Sequence, residues 1–321
     1  MIKASIIGCG KIAGGLSVYD KTTHAGAYKY NKDITIVSCY DVNSKNSSRL
    51  SKRFGCKKTK SIREIFDDKP DVISICTPDS SHFIITKEII RYSSSVKVIF
   101  LEKPSFSNEK QFNKISSLLK KTNISIVVNH TRRFDLNHNK IRKQILEKKF
   151  GQFINGNATY YSGWMHNGIH LIDTLYFLLG KIPRVKKIIS LQNSTYKNDP
   201  SIELDLILEN NSKMIKINFF DKKKYQIFEF DLRFENARIR IENFGSKFII
   251  EKKCKNKLGE NILKKEKVYS KDTSLNSMQN AVNIITTFIK EKKLSTIKGY
   301  RLEDTKKVMK VMWSIKGKKL N

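Results

Sequence analysis

Short apolar runs alternate with stretches of helical period along the first 130 residues. "ASIIGCG", "DITIVSCYD", "DVISICTP", "VKVIFLEKP" and "NISIVVNH" read as strands, and "SSHFIITKEIIRY" and "NEKQFNKISSLLKKT" read as helices between them. Continuous Ile/Val runs separated by helices predict a parallel sheet covered on both faces. After about residue 150 the pattern changes. "GQFINGNATYYSG", "VKKIISLQNS", "SIELDLILEN", "SKMIKINFF", "YQIFEFDLRF" and "ARIRIENFGSKFIIEKK" follow one another with turn residues between them. Several alternate apolar and polar positions, as a sheet with one packed and one open face does. "SLNSMQNAVNIITTFIKEKK" and "LEDTKKVMKVMWSIKGKK" close the chain as helices, and the Lys-rich stretch 252–271 reads as an exposed hairpin. The fold class is therefore α/β: a doubly wound parallel domain over 1–130, then an α+β domain over 131–321 with a large, mostly antiparallel open sheet. The closing helix is able to pack back on the first domain.

Length agrees with two domains, since 321 residues exceed one ordinary core, and 39% hydrophobic residues suffice for packed interiors. No apolar run reaches the ~18 residues of a membrane helix, and the first ten residues have no signal-peptide layout. Cys9, Cys39, Cys56, Cys76 and Cys254 form no C-x-x-C pair. An odd, dispersed set fits reduced thiols and a cytoplasmic protein better than a disulfide framework. The net charge of +32 alone points to nucleic acid. Yet the excess is Lys spread from end to end, together with abundant Ile and Asn, as A/T-rich codons would give. It is not interleaved with aromatics in an RNA-binding pattern. Attraction of an anionic small molecule is the milder consequence, and no specific nucleic-acid partner follows.

Directly after the first strand, "IIGCGKIAGG" carries Gly8-x-Gly10-x-x-Ala13. The spacing suits a dinucleotide: a tight turn at Gly8, close approach of the backbone to a pyrophosphate at Gly10, and close packing at residue 13. Lys11 and Ile12 lie in the same turn. Gly14-Gly15 and "LSVYDKTT" interrupt the first helix, which resumes at "HAGAYKYN", so an inserted loop is expected beside the phosphates. Asp41 ends the second strand, where a carboxylate accepts the ribose hydroxyls and repels a 2′-phosphate. NAD is favoured over NADP on that ground, with Lys45 the residue able to reverse the preference.

At Glu102-Lys103-Pro104 the chain resembles the Gfo/Idh/MocA family of sugar and cyclitol dehydrogenases. The likeness extends through "THAGAYK", Thr77-Pro78 with His82, "NHTRRF", "GQFINGNATYYSG" and "GIHLIDTLYFLLG". The resemblance implies a Rossmann domain and a second domain whose open sheet lines the substrate site and often builds a dimer or tetramer. It implies that Lys103 works beside a nicotinamide, commonly on a cis Lys–Pro bond, and that His170 gives or takes the reacting proton. Thr77, Pro78, His82, Glu102 and Asn129 fall where the family lines the dinucleotide. Many members carry Asp four residues before the His; this chain has His166, which puts that Asp's role in doubt. Similarity around "NGIHLID" to polysaccharide-pathway members points toward sugars of that kind.

On a helix starting near Ile169, His170, Asp173 and Thr174 share a face amid Leu, Ile and Phe. A helix this apolar is buried, and a polar stripe on it needs partners. A metal would need further ligands at workable spacing, and neither H-E-x-x-H nor a cysteine pair supplies them. His170 reads as catalytic or substrate-binding, and His166 as a substrate contact or a structural residue. Asp173 reads as an anchor of the helix or as part of the substrate site. Arg132, Tyr160, Tyr161, Trp164 and Asn167 complete the expected substrate lining. The expected activity is hydride transfer between nicotinamide and a hydroxyl or ketone carbon of a sugar, cyclitol or nucleotide-sugar, with Lys103 and His170 as acid and base. A hydride returned within one cycle is a variant of this. The alternative is a non-catalytic dinucleotide-binding regulator that works through its basic surface.

Overall fold

In the computed structural model, which describes residues 1–14, 20–208 and 213–315, the alternating N-terminal pattern becomes a six-stranded parallel sheet. Its strands are β1 (Ile2–Ile7), β2 (Ile34–Tyr40), β3 (Lys57–Lys58), β4 (Val72–Ile75), β5 (Val98–Glu102) and β6 (Ser125–Asn129), in the order β3-β2-β1-β4-β5-β6. The chain moves outward through β2 and β3, then crosses back to β4 on the far side of β1. The carboxyl ends of β1 and β4 therefore flank the point where a doubly wound sheet opens a crevice. Strand β3 is only two exposed lysines long, too short to leave a hydrophobic run. Helices α1 (His24–Lys29), α2 (Ser44–Phe54), α3 (Ile62–Asp67), α4 (Asp79–Tyr92) and α5 (Glu109–Leu119) connect the strands. Side chains start several of them: Asn43, Ser61 and Asn108 each accept a first-turn N–H, satisfying donors the helix cannot.

The second sheet has eight strands: β7 (Phe153–Tyr161), β8 (Arg184–Gln192), β9 (Ser201–Leu208), β10 (Lys213–Phe220), β11 (Glu229–Phe234), β12 (Ala237–Glu242), β13 (Lys247–Lys255) and β14 (Asn261–Tyr269). They run β14-β13-β12-β11-β7-β10-β9-β8, and only the β7–β10 pair is parallel. The period-two pattern of "FEFDLRF" and "ARIRIE" puts Phe230, Leu232, Ile239 and Ile241 inside. Their neighbours form cross-strand ion pairs on the other face, Arg238 with Asp231 at 2.9 Å and with Glu251 at 3.7 Å. "ARIRIENFGSKFIIEKK" divides into β12 and β13 at Asn243–Gly245, and β13 and β14 form the Lys-rich hairpin. Helices α6 (Leu136–Leu146) and α7 (Ile169–Leu179) belong to this unit. The short polar pattern of α6 gives little sequence signal.

The chain divides into two compact units, 1–134 with 275–306, and 135–274 with 307–321. This differs from a single cut at residue 130, for identifiable reasons. Arg133 Nη1 donates to the Gly299 carbonyl, and Phe134 stacks on Tyr300 at 4.6 Å. Helix α8 (Ser277–Glu291) places Met278, Ala281, Val282 and Ile285 in one apolar cluster with Ala4, Ile6, Tyr28, Phe100 and Val127. At ~1.5–3 kcal/mol per buried large aliphatic side chain, that face holds α8 to the first sheet. The last helix, α9 (Leu302–Ile315), has its first residues in the first unit and the remainder in the second. Among the described residues no helix is long and apolar enough to cross a membrane, and the five cysteines are free.

Candidate active site

In the first unit the glycine turn is built against the end of β4. Gly8 has φ +87°, and a Cβ there would lie 2.8 Å from the Cys76 carbonyl carbon and the Thr77 nitrogen. Only glycine fits both the conformation and the space. Gly10 is the opposite case, with nothing among the described residues within 4 Å of where its Cβ would be. The Cys9 N–H donates to Asp41 Oδ2 at 2.6 Å, and Asp41 Oδ1 accepts from Asn43 N at 2.7 Å, so the carboxylate is fixed at the end of β2 beside the turn. Lys45 is exposed on α2. The chain turns again at 11–14 instead of entering a helix; Lys11 and Ile12 are exposed there and Ala13 is buried. Helix α1 starts only after a 3₁₀ turn at Asp20–Thr22, and residues 15–19, where the inserted loop was expected, lie outside the described residues.

Glu102 ends β5, Lys103 follows it, and the Lys103–Pro104 bond is cis. Lys103 is partly exposed; Glu102 is buried. Glu102 Oε1 accepts from Asn129 Nδ2 at 2.6 Å and pairs with His24 Nε2 at 2.9 Å. His24 Nδ1 meets Ser74 Oγ at 2.9 Å, and Ser74 Oγ meets Tyr28 OH at 2.6 Å. One proton arrangement satisfies this chain with a neutral imidazole: Tyr28 donates to Ser74, Ser74 to His24, and His24 to Glu102. Burial pushes the Glu102 carboxyl up, but His24, Asn129 and the charge of Lys103 outweigh burial and hold it below its ordinary range. Asn129 Oδ1 is buried and has no hydrogen-bond partner among the described residues. That orphaned acceptor and the open space at Gly10 fit a dinucleotide carrying an amide head group. Gly10, Asp41, Thr77 and Asn129 are the residues that would hold it.

One expectation for this unit changes. His82 is fully buried, with Nδ1 3.0 Å from the Pro104 carbonyl and Nε2 2.9 Å from the Thr77 carbonyl. It ties the turn after β4 to the turn after β5, and so has no face for a cofactor. The Glu102 carboxylate is engaged by His24 and Asn129, with Lys103 as a neighbouring charge. Thr77 is partly exposed, Pro78 caps α4, and Arg132 is partly exposed on a short 3₁₀ turn.

In the second unit β7 ends at Tyr161, the chain turns at Ser162 and Gly163, and a π-helical turn spans Trp164–Gly168 before α7. The π turn carries His166 and runs directly into the helix that carries His170. His170 is partly exposed and Asp173 is buried. Tyr160, expected against substrate, is instead a core residue. Its OH accepts from Ile202 N at 2.7 Å and donates to Ile202 O at 3.1 Å, and burial pushes its pKa up. Trp164 is also buried, with Nε1 donating to the Met312 carbonyl at 3.3 Å. Asn167 donates to the Ser162 carbonyl at 2.5 Å, closing the π turn. His166 is the one of these side chains that stays half exposed, and its ring lies 3.7 Å from that of Tyr196 and nearly parallel to it. The sequence reading missed Asp199, whose carboxylate accepts from Met165 N, His166 N and the His166 ring. It also missed His24, Ser74 and Tyr28; the available signal was a histidine opening a helix of small residues, "HAGAYK". Among the described residues no group of three or more His, Cys, Asp or Glu is arranged to hold a metal.

The chain is 23% identical over 214 residues to D-glucoside 3-dehydrogenase of Escherichia coli, covering 58% of this chain and 56% of that protein. It is 26% identical over 152 residues to inositol 2-dehydrogenase of Rhizobium meliloti, covering 47% and 42%. The chain thus spans about half the length of the curated relatives it matches. Among solved structures, UDP-N-acetylglucosamine 3-dehydrogenase from Acidithiobacillus ferrooxidans superposes with a TM-score of 0.76 at 13% identity, covering 98% of this chain and 96% of that one. The transcriptional regulator Gal80p from Kluyveromyces lactis superposes with a TM-score of 0.71 at 15% identity, covering 89% and 83%. Likeness at that identity establishes the fold, which enzymes and a regulator share. Residues 2–130 match the Gfo/Idh/MocA family model, described as "Oxidoreductase family, NAD-binding Rossmann fold", so this stretch of the chain is similar to that family.

Proposed function

We propose that the protein is an NAD-dependent oxidoreductase that transfers a hydride between nicotinamide and a carbinol or ketone carbon of a sugar, cyclitol or nucleotide-sugar. The observation that carries this reading is the edge of the first sheet. There an open glycine turn, a fixed carboxylate at Asp41, an orphaned amide oxygen on Asn129 and a partly exposed Lys103 stand at the carboxyl ends of β1, β2, β6 and β5. The relatives act on sugar and cyclitol hydroxyls by their names, which supports the substrate class.

NAD supplies the hydride acceptor when bound. Lys103 holds the reacting oxygen through its ammonium group, with Glu102 as the counter-charge beneath it. His170 takes the hydroxyl proton in oxidation and returns it in reduction, as an imidazole near neutral pH can. Asp41 accepts the ribose hydroxyls and disfavours a 2′-phosphate, so we assign NAD over NADP. Assembly through the open sheet and a cytoplasmic location complete the reading.

The test is cofactor reduction at 340 nm with NAD⁺ or NADP⁺ and a panel of methyl β-D-glucoside, myo-inositol and UDP-N-acetylglucosamine. Turnover with NAD⁺ that is lost in Lys103→Ala and His170→Ala supports the assignment. NAD binding without turnover of any panel member would favour a non-catalytic regulator.

A further inference from the structure

The Lys-rich hairpin of the second unit has a surface unlike the rest of its sheet. Strand β14 is exposed from Asn261 to Val268. Side chains alternate between the two faces of a strand, so neither face of β14 is covered. From Lys252 to Lys267 seven lysines stand against Glu260 and Glu266, a net charge of +5. Three apolar side chains lie among them: Leu258 is 83% exposed, Leu263 47% and Ile262 42%.

The tip of the hairpin is closed by its own hydrogen bonds. Asn256 Oδ1 accepts from Leu258 N and Glu260 N, each at 2.9 Å, and Asn256 Nδ2 donates to Glu260 Oε2 at 2.7 Å. In the backbone, Asn256 N donates to Glu260 O at 3.0 Å and Gly259 N to Asn256 O at 3.1 Å, with Gly259 at φ +79°. Leu258 therefore sits in the middle of a fixed turn, a place where Gly, Asn, Asp or Ser is the ordinary choice. Behind it the antiparallel register sets Lys255 opposite Asn261, Cys254 opposite Ile262 and Lys253 opposite Leu263. Successive rows face opposite ways, so Ile262 and Leu263 put one apolar side chain on each face just behind Leu258. At ~3.4 Å per row, all three lie within about 10 Å of the tip. Lys253, Lys255, Lys257, Lys264 and Lys265 form a collar around them.

We propose that this hairpin docks on an anionic phospholipid bilayer, with Leu258, Ile262 and Leu263 entering between headgroups and acyl chains and the collar lysines meeting the headgroup phosphates. Protection of a free sheet edge accounts for lysines on β14, but it would keep exposed aliphatic side chains off the same strand. A nucleic acid would use the lysines alone, because its phosphate backbone offers three aliphatic groups no partner. A second copy of the chain carries the same sign of charge, with 62 basic against 30 acidic residues, and is repelled. An anionic bilayer satisfies both halves of the surface. It attracts lysines within a Debye length, and it buries apolar side chains about 5–10 Å deep, close to the height of the apolar tip. Lys257, next to Leu258, reaches back to headgroup level along its own methylene stem.

Flotation of the full chain with phosphatidylcholine vesicles, with and without phosphatidylglycerol, tests this. We expect binding that needs phosphatidylglycerol and weakens with added salt. Leu258→Asn removes the apolar tip without changing charge and should lower the partition constant on the order of 10- to 100-fold. Lys264→Gln with Lys265→Gln should lower it roughly 30-fold, about fivefold for each lysine. Lys110→Gln with Lys114→Gln removes the same charge from the exposed side of α5 and should change it by less than about twofold. Unfolding midpoints that match the wild type confirm that these exposed substitutions leave the fold intact. Equal losses in the two lysine pairs, or full binding by Leu258→Asn, would mean that diffuse charge alone holds the protein, and would overturn the proposal. Absence of vesicle binding at low salt would overturn it as well. Duplex DNA bound more tightly than vesicles, through the lysines and without Leu258, would assign the ribbon to nucleic acid instead. Protection of residues 256–263 from hydrogen exchange in an oligomer without lipid would assign it to a second copy.

Discussion

The pair His24–Glu102 in the first unit and the pair His166–Asp199 in the second use the same two functional groups for opposite ends. In the first, the histidine is the support: it lies in the core, and the carboxylate faces toward the chain position that carries Lys103. In the second, the carboxylate is the support, and the histidine is the group that meets water. Burial decides which partner is structural. A closed pair needs all its donors and acceptors satisfied internally, which is why Tyr28, Ser74 and Asn129 surround His24 and Glu102. An open pair needs only its inner partner held, and the backbone N–H groups of Met165 and His166 hold Asp199.

The sharpest way to break the comparison is at the groups the two pairs serve. Lys103→Ala and His170→Ala should each lower kcat by about 10²–10⁴-fold, with thermal unfolding unchanged, in steady-state assays with NAD⁺ and a panel substrate. A full-rate Lys103→Ala enzyme would leave Glu102 and His24 with nothing to support. Next in size is Glu102→Ala. It strands the His24 Nε2–H and the Asn129 amide in the core, at about 1–3 kcal/mol each. Urea unfolding should show that loss, whereas Asp199→Asn, whose single amide oxygen replaces the two that accept from Met165 N and His166 N, loses one of those bonds and should cost about half as much. Equal losses would mean that both pairs are structural.

How far the sequence carries follows from the same contrast. Strand order, the glycine turn, Asp41 and the Glu102-Lys103-Pro104 turn are local patterns, and the fold places them at one sheet edge. Side-chain commitment is not local. His82, Tyr160, Trp164 and Asn167 have the chemistry of site residues, but each bonds a backbone carbonyl of its own unit. Conversely, Asp199 meets His166 from 33 positions away and His24 meets Glu102 from 78. An Asp before Pro200 in a polar loop reads as a turn, and nothing in its neighbours names its partner. The extra β3 and the return of α8 to the first unit are tertiary outcomes of the same kind.

Acid should separate the closed pairs from the rest of the molecule. Burial, the largest single influence, pushes Glu102 and Asp135 (the partner of the buried His138) up, but hydrogen bonds and opposite charge together outweigh it and hold both below their ordinary values, near 4.5 and 3.8. A carboxyl depressed in the folded state contributes stability above its unfolded value and loses it as pH falls through the folded one. Unfolding midpoints in urea should therefore be flat between pH 7 and 5 and decline below about pH 4.5, where the first group starts to protonate in the unfolded chain. Glu102→Gln should flatten the upper part of that decline. A decline that begins near pH 6 in both proteins would point to histidine protonation instead.

The smallest effect is expected at Tyr160, where the comparison extends to a residue whose chemistry suggested substrate contact. Its OH accepts from Ile202 N–H at 2.7 Å and donates to Ile202 C=O at 3.1 Å, so one hydroxyl satisfies both backbone groups of a residue at the start of β9. Tyr160→Phe keeps the ring in its apolar site and removes only those bonds, leaving a buried donor and acceptor unpaired at a cost of about 1–3 kcal/mol. Because the loss lies in the support of β9, KM and kcat at temperatures well below unfolding should match the wild type within a factor of two or so. The opposite result, unchanged stability with a raised KM, would mean that the hydroxyl reaches the substrate after all. It would then belong with the half-open His166, and exposure could no longer be used to separate supporting residues from acting ones in this unit.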